Sequence, residues 1–220
     1  MAGFDRIACG RCLAEGTSLM GLSLEESKQQ QLLDYLALMH KWNKAFNLTA
    51  VRDPLEMVSR HLLDSLVVLP YLQGERCLDM GTGPGLPGIP LAIMRPDMQF
   101  TLLDSNSKKI RFLRQVVMEL GLDHCHPVHS RLEAYRPEVP FHLLTARAVT
   151  TLSTLLEVSR HLRNRESLLL ALKGRNPQQE IDELSVGYEC NVVPLSVPYT
   201  DGERCLISIR EPDKSEDPLA

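Results

Sequence analysis

The sequence predicts an α/β fold, a mostly parallel sheet with crossover helices, an antiparallel terminal strand and an N-terminal helical extension. Three observations carry that expectation. The first third shows helical periodicity and no strand-like run; after Gly74 short apolar runs alternate with helical patterns; beyond Gly187 two strand-like runs follow each other directly. At 220 residues, 44% hydrophobic and 24% charged, the chain has the size and composition of one such folded domain plus an extension. The expected boundaries are residues 1–72 for the helical extension, 73–212 for the core and 213–220 for a polar tail.

From Leu24 to Asn47 the residues Leu32, Leu36, Met39, Trp42 and Phe46 recur at spacings of three and four, as one face of a helix demands. Ser23 with Glu26 is expected to form its capping box. Asp53-Pro54-Leu55-Glu56 announces a second helix, because Asp can cap, Pro fits the first helical position and Glu56 favours the positive end of the dipole. Val58, Leu62, Leu66 and Leu69 continue it to Pro70. The runs ERCLDM, QFTLLDS, CHPVH, FHLLTARAV and SLLLALKG read as strands of a parallel sheet. Between them, Ser107 to Leu120 is the clearest helix, with Ser107 expected as its cap and Gly121 placed to end it. YECNVVPLSV and ERCLISIRE then read as an antiparallel pair across a Pro-Tyr-Thr-Asp-Gly turn. The tail EPDKSEDPLA is polar and expected to fray.

Charge and cysteine content narrow the function classes. Lys+Arg 24 against Asp+Glu 28 gives a net charge of -4, so any nucleic-acid contact must use a local basic patch. Six scattered cysteines, at 9, 12, 77, 125, 190 and 205, fit a reduced cytoplasmic compartment better than a disulfide framework. The opening MAGFDRIACGRCLAEG carries Arg6 and Arg11 inside its mildly apolar stretch, unlike a signal peptide. No run approaches the roughly 18 uninterrupted apolar residues that a membrane span requires.

The chemistry is expected where the first strand meets the glycine-dense turn Asp79-Met80-Gly81-Thr82-Gly83-Pro84-Gly85-Leu86-Pro87-Gly88. At the carboxyl end of such a strand, residues lacking Cβ let a ligand approach the backbone closely. Asp104, closing the second strand, can accept both hydrogen bonds of a ribose diol, so the pair of features points to an adenosine-containing ligand. Gly83-x-Gly85-x-x-Gly88 also satisfies the dinucleotide fingerprint, which keeps an NAD-binding redox sensor open as an alternative. Against it, Asp79 and Gly81 precede the fingerprint, and a carboxylate there suits a cationic amino-acid moiety and opposes a pyrophosphate. No glycine-lysine-serine or -threonine follows the turn, which argues against a nucleoside triphosphate.

DMGTGPGLPGIPLAI resembles the cofactor loop of S-adenosylmethionine-dependent methyltransferases, which implies their Rossmann-like fold. HKWNKAFNLTAVRDP, RHLLDSLVVLPYL, GTGPGLPGIPLA, TLLDSNSKKIRFLRQV, SRLEAY, ARAV, ALKG and DGERCLISI, in that order, resemble the bacterial 16S rRNA guanine-N7 methyltransferase family, also called the glucose-inhibited division protein B family. The resemblance covers nearly the whole chain. It implies methyl transfer from S-adenosyl-L-methionine to N7 of a guanine in 16S rRNA, guanine 527 in the family's rRNA numbering. It also implies 16S rRNA or the small ribosomal subunit as partner, neither DNA nor a membrane, and a cytoplasmic location; the sequence leaves the oligomeric state open, with a monomer favoured. A methyltransferase of a non-RNA substrate is the nearer alternative.

The same resemblance places Gly81 and Leu86 at the methionine end of the cofactor, with Gly83 and Gly85 allowing close approach. It puts Asp104 and Ser105 at the ribose and adenine, Leu132 and Glu133 of SRLEAY at the adenine, and Arg147 of ARAV at the remaining cofactor position, facing the incoming base. An ordinary solvated surface pair is the alternative reading of Glu133 and Arg147, ranked below the cofactor one. Guanine N7 carries an in-plane lone pair and no proton, so no general base is needed, and positioning and electrostatics must carry the rate. No Pro-Cys supplies a nucleophile for cytosine C5 and no Asn-Pro-Pro-Tyr clamps an exocyclic amine, in keeping with that chemistry. Arg147 is expected on O6, a phosphate or the cofactor carboxylate rather than on N7, which becomes positive.

Lys108, Lys109, Arg111 and Arg114 form the richest basic helix and the candidate RNA contact, with Arg160-His161-Leu162-Arg163-Asn164-Arg165 as a second patch. His124, Cys125, His126 and His129 invite a metal reading, but Pro127 interrupts them and no second ligand pair at zinc-finger spacing follows, so no metal is expected. Cys9-x-x-Cys12 lacks a preceding strand and reads as part of a helix.

Overall fold

A computed structural model describes residues 3–147, 150–174, 178–184 and 187–211. Seven strands form one sheet: β1 (Arg76–Met80), β2 (Gln99–Asp104), β3 (Cys125–His129), β4 (Leu143–Arg147), β5 (Leu168–Lys173), β6 (Glu189–Leu195) and β7 (Arg204–Arg210). Their spatial order is β3-β2-β1-β4-β5-β7-β6. The first five run parallel, and β7 lies antiparallel to both β5 and β6. The chain starts the sheet in its middle, winds outward through β3 and returns to β4, so the order reverses between β1 and β4, where open sheets bind ligands.

Strand residues alternate between two apolar layers. Cys77, Phe100, Leu102, Leu143, Leu170 and Leu206 face one layer, while Leu78, Leu103, Leu144, Leu169 and Ile207 face the other. Burial on both faces is why these strands read as continuous apolar runs. The first layer is thick. The helices α1 (Arg6–Leu19), α2 (Glu26–Phe46), α5 (Gly88–Met94) and α6 (Ser107–Leu120) all contribute to it, so residues of the expected 1–72 extension share one hydrophobic cluster with the sheet. The second layer is covered by α7 (Leu152–Ser159), with Ile181 of α8 (Gln178–Asp182) packed against it. No helix among the described residues is long and apolar enough to cross a membrane.

Three local expectations are corrected. Helix α2 starts at Glu26 with Glu25 as a cap lacking a side-chain bond, because Leu22 and Leu24 pack against the core and delay entry into the helix past Ser23. Asn106, not Ser107, caps α6, its Oδ1 accepting from the backbone N–H groups of Lys108 at 3.0 Å and Lys109 at 3.4 Å. The helix announced by Asp53 begins as expected, with Asp53 Oδ1 accepting from the N–H of Leu55 at 2.9 Å. It is not continuous: α3 (Pro54–Met57) passes into a π-helical turn over Val58–Leu63, then the short α4 (Asp64–Leu66). Such turns recur at functional sites, since the widened backbone re-aims side chains. The expected tail 213–220 lies outside the described residues.

Candidate active site

The carboxyl ends of β1, β2, β4 and β5 open on two cavities that meet at Gly81 and Lys109. The glycine turn between them is held from below. Asp79, fully buried at the end of β1, accepts from the Thr82 hydroxyl, the Gly88 N–H at 2.8 Å and the Thr145 hydroxyl at 3.2 Å. Burial outweighs those bonds and pushes its carboxyl up to about 6. The carboxylate expected to meet a cationic moiety is therefore spent on the loop itself. Gly88 lets α5 pack on the strand, since a Cβ there would lie 2.4 Å from Leu102 Cδ2.

The second cavity, about 510 Å³, brings together Gly81, Asp104, Ser105, Leu132 and Glu133, all expected cofactor residues, with Leu103, Ser130, Arg131, Thr150 and Thr154. Asp104 Oδ2 accepts from the Gly83 N–H at 2.9 Å and Oδ1 from the Asn106 N–H at 2.8 Å, which fixes the carboxylate at the cavity wall. Gly83 has φ +61, and a Cβ there would meet nothing nearer than Lys109 Nζ at 3.8 Å. The turn thus keeps open space on its ligand side. A fixed carboxylate, a neighbouring serine, an apolar Leu132 and a bare glycine edge suit an adenosine moiety.

The first cavity, about 550 Å³, is lined by Gly81, Thr82, Gly83, Pro84 and Leu86 on one wall and by Arg60, His61, Asp64, Arg147, Lys173 and Arg204 on others. Arg147, expected at the cofactor, stands at this cavity, with Nη1 donating to Asp64 Oδ2 at 2.9 Å and to the Arg60 carbonyl at 3.3 Å. His61 is buried, 2.9 Å from Thr49 Oγ1 through Nε2. Burial, then the positive charge of Arg147, pushes its pKa down to about 4, so the ring is neutral near pH 7. Lys173 Nζ donates to the Thr150 carbonyl at 2.7 Å and to Glu180 Oε2 at 2.9 Å.

Gly85, the remaining expected loop residue, lines neither cavity. It has φ +105 and its Cα faces Ile89, Leu113 and the hydroxyl of Tyr35. Of the candidate RNA residues, Lys109 lies at both cavities with Nζ 3.7 Å from Asp104 Oδ2, whereas Lys108, Arg111 and Arg114 are exposed on α6. In the second patch Arg163 turns inward to Glu211 and the Leu156 carbonyl. His124, His126 and His129 bond three separate partners, the Ala92 carbonyl, Gln99 and the Ser105 carbonyl. Sequence reasoning assigned no role to Asp64, Lys173 or Arg204, although RHLLDS, ALKG and DGERCLISI contain them. It also passed over Tyr35, whose spacing from Leu32 and Met39 puts it on the buried face of α2.

A family model described as "rRNA small subunit methyltransferase G" matches residues 28–207. A protein of Escherichia coli O17:K52:H18 named "Ribosomal RNA small subunit methyltransferase G" is 52% identical over 198 residues, spanning 88% of this chain and 96% of its own. A protein of the same name from Shigella boydii serotype 18 is 52% identical over 86% of this chain and 92% of its own. Among solved structures, a methyltransferase from Geobacter sulfurreducens superposes with a TM-score of 0.57 at 16% identity, over 90% of this chain and 96% of that one. The N-methyltransferase NodS from Bradyrhizobium japonicum, in complex with S-adenosyl-L-homocysteine, gives 0.57 at 14% identity, over 79% of this chain and all of that one. These two share the fold.

Proposed function

The chain belongs to the rRNA small subunit methyltransferase G family, and from that premise we propose that it methylates N7 of a guanine in 16S rRNA, guanine 527 in the family's rRNA numbering. The observation that carries the reading is the meeting of two unlike cavities at Gly81, one suited to adenosine and one walled by Arg60, Arg147, Lys173 and Arg204. Asp104, Ser105, Leu132 and Glu133 hold the adenosine part of S-adenosylmethionine, and Gly81 and Gly83 give its methionine part close backbone approach. Bound there, S-adenosylmethionine supplies an electrophilic methyl on a sulfonium. The cationic cavity receives the RNA nucleotide.

The protein's own task is to orient the guanine and exclude water, because N7 presents its lone pair without losing a proton. Among the described residues that line the first cavity, the Asp64 carboxylate is held by Arg147 and Arg204, and the neutral His61 ring is buried with Nε2 on Thr49. The enzyme works in the cytoplasm on 16S rRNA or the small subunit. Methyl transfer from labelled cofactor to small subunits lacking the modification, followed by mapping of the labelled base, tests the reading. Label at N7 of the expected guanine supports it. Label at another base, or only on protein or small molecules, overturns it.

A further inference from the structure

We propose that Tyr35 is a positioning residue for the methyl-donor cofactor: its hydroxyl holds the glycine turn from the core side, so that the N-terminal helices, and not the sheet alone, set how tightly the cofactor binds. The inference rests on the reading that this turn gives the methionine part of S-adenosylmethionine close approach. The turn closes most of its own backbone. The Gly85 and Leu86 N–H groups donate to the Thr82 carbonyl at 2.9 and 2.8 Å, and the Ile89 N–H donates to the Gly85 carbonyl at 2.8 Å. One carbonyl is left over. The Gly88 N–H, four residues on and so the helical partner of Pro84, turns instead to Asp79 Oδ2 at 2.8 Å. Pro84 is buried, and a buried carbonyl left without a donor destabilises the fold. No backbone N–H among the described residues reaches it, and the Tyr35 hydroxyl does, at 2.8 Å.

The tyrosine is built for that reach. Its side chain is fully buried in α2, with the ring centroid 6.4 Å from that of Phe112 in α6. A Cβ at Gly85 would stand 3.2 Å from the hydroxyl oxygen, so the glycine leaves room for the hydroxyl to approach the turn. Burial pushes the hydroxyl well above the ordinary tyrosine range, which keeps it protonated and a donor near neutral pH. Phenylalanine would fill the same core space; only the hydroxyl acts on the turn.

Gly83-Pro84-Gly85 is thus pinned at both ends. Asp104 Oδ2 takes the Gly83 N–H at 2.9 Å on the side of β2, and Tyr35 takes the Pro84 carbonyl on the side of α2. Gly83 and Gly85 have φ of +61 and +105, and glycine explores a wide range of backbone shapes when nothing holds it. Releasing the second pin makes the ligand-competent shape one of several, and apparent affinity falls by the fraction of chains that keep it.

The test compares Tyr35→Phe with Leu32→Ala in the full chain. Leu32 lies on the same buried face of α2 and makes no bond to the turn, so its truncation reports what loosening the helix does alone. Calorimetric titration with S-adenosylhomocysteine should show about three- to tenfold weaker binding in Tyr35→Phe, the scale of one hydrogen bond. Leu32→Ala should lose stability to urea and bind as the parent does. In the unliganded chain the carbonyl 13C resonance of Pro84 should shift in Tyr35→Phe and stay in place in Leu32→Ala. Methyl transfer by Tyr35→Phe should keep the parental kcat and show the loss in KM for S-adenosylmethionine, because saturating cofactor reselects the shape of the turn. Parental affinity or an unmoved Pro84 resonance in Tyr35→Phe, an equal loss of affinity in Leu32→Ala, or a fall in kcat with KM unchanged overturns the positioning role. If affinity falls as expected while small-subunit rRNA is never methylated, the positioning role stands and the rRNA reading falls.

Discussion

Two buried titratable groups beside the site pull stability in opposite directions with pH. Asp79 has its carboxyl pushed up to about 6 by burial, against an ordinary value of about 4. Across that window the native state keeps a proton that the unfolded chain has released, so stability falls as pH rises, by at most about 1.4 kcal/mol per pH unit. His61 works the other way. Burial holds it near 4 against an ordinary value of about 6.5, so the unfolded chain binds a proton that the native state refuses, and stability rises with pH over that range. In urea unfolding between pH 4 and 6, Asp79→Asn should climb more steeply with pH than the parent, and His61→Gln less steeply. Difference curves of the same sign would show that one of the two groups is not buried as described. Neither role was legible in the sequence: Asp79 beside a glycine turn looks like a ligand-facing acid, and only its bonds to Thr82, Gly88 and Thr145 reveal that it faces inward.

At the scale of elements, the glycine turn is shaped from both sides, and its glycines are not equivalent. Gly83 has a left-handed backbone in open space, so Gly83→Ala should cost about 1–2 kcal/mol of stability from the backbone alone. At Gly85 a Cβ would come within 2.6 Å of Ile89 and 2.8 Å of Leu113, so Gly85→Ala adds overpacking of about 1–3 kcal/mol to a similar backbone cost. A urea midpoint that falls more for Gly83→Ala than for Gly85→Ala would reverse this assignment. Helix α2 braces the same turn, with the Tyr35 hydroxyl donating to the buried Pro84 carbonyl at 2.8 Å. The parallel strands, α6 and the glycine turn were legible because their signals are local: apolar runs, a capped periodic face, closely spaced glycines. The π-helical turn was not, since Val58, Leu62 and Leu66 keep an ordinary helical spacing through it. Ser107 and Asn106 are both good caps in sequence, and only the folded backbone chooses between them.

On the scale of the whole molecule, the cationic cavity depends on contacts that span the chain. Arg147 and Arg204 stand 83 and 140 residues from Asp64, so no local pattern could have joined them. The same holds for Lys109: in sequence it belongs to a basic helix with Lys108, Arg111 and Arg114, whereas in the fold it leaves that set and turns to Asp104 between the two cavities. A protein of net charge -4 must draw RNA with clustered cations, and α6 begins beside the site at the carboxyl end of β2. If RNA is held as a single-stranded loop through Z phosphates, log affinity should fall with log salt at a slope of about -0.7Z. Lys108→Ala and Arg111→Ala should each flatten that slope by about 0.7 and leave S-adenosylmethionine affinity unchanged, because both side chains are exposed and line neither cavity. Lys109→Ala should instead alter cofactor affinity measured by calorimetry, through its place beside Asp104. RNA binding measured across a salt series decides the point: parental slopes in both the Lys108 and Arg111 variants would make the outer face of α6 a solvated surface and leave the arginines of the cavity to carry the attraction.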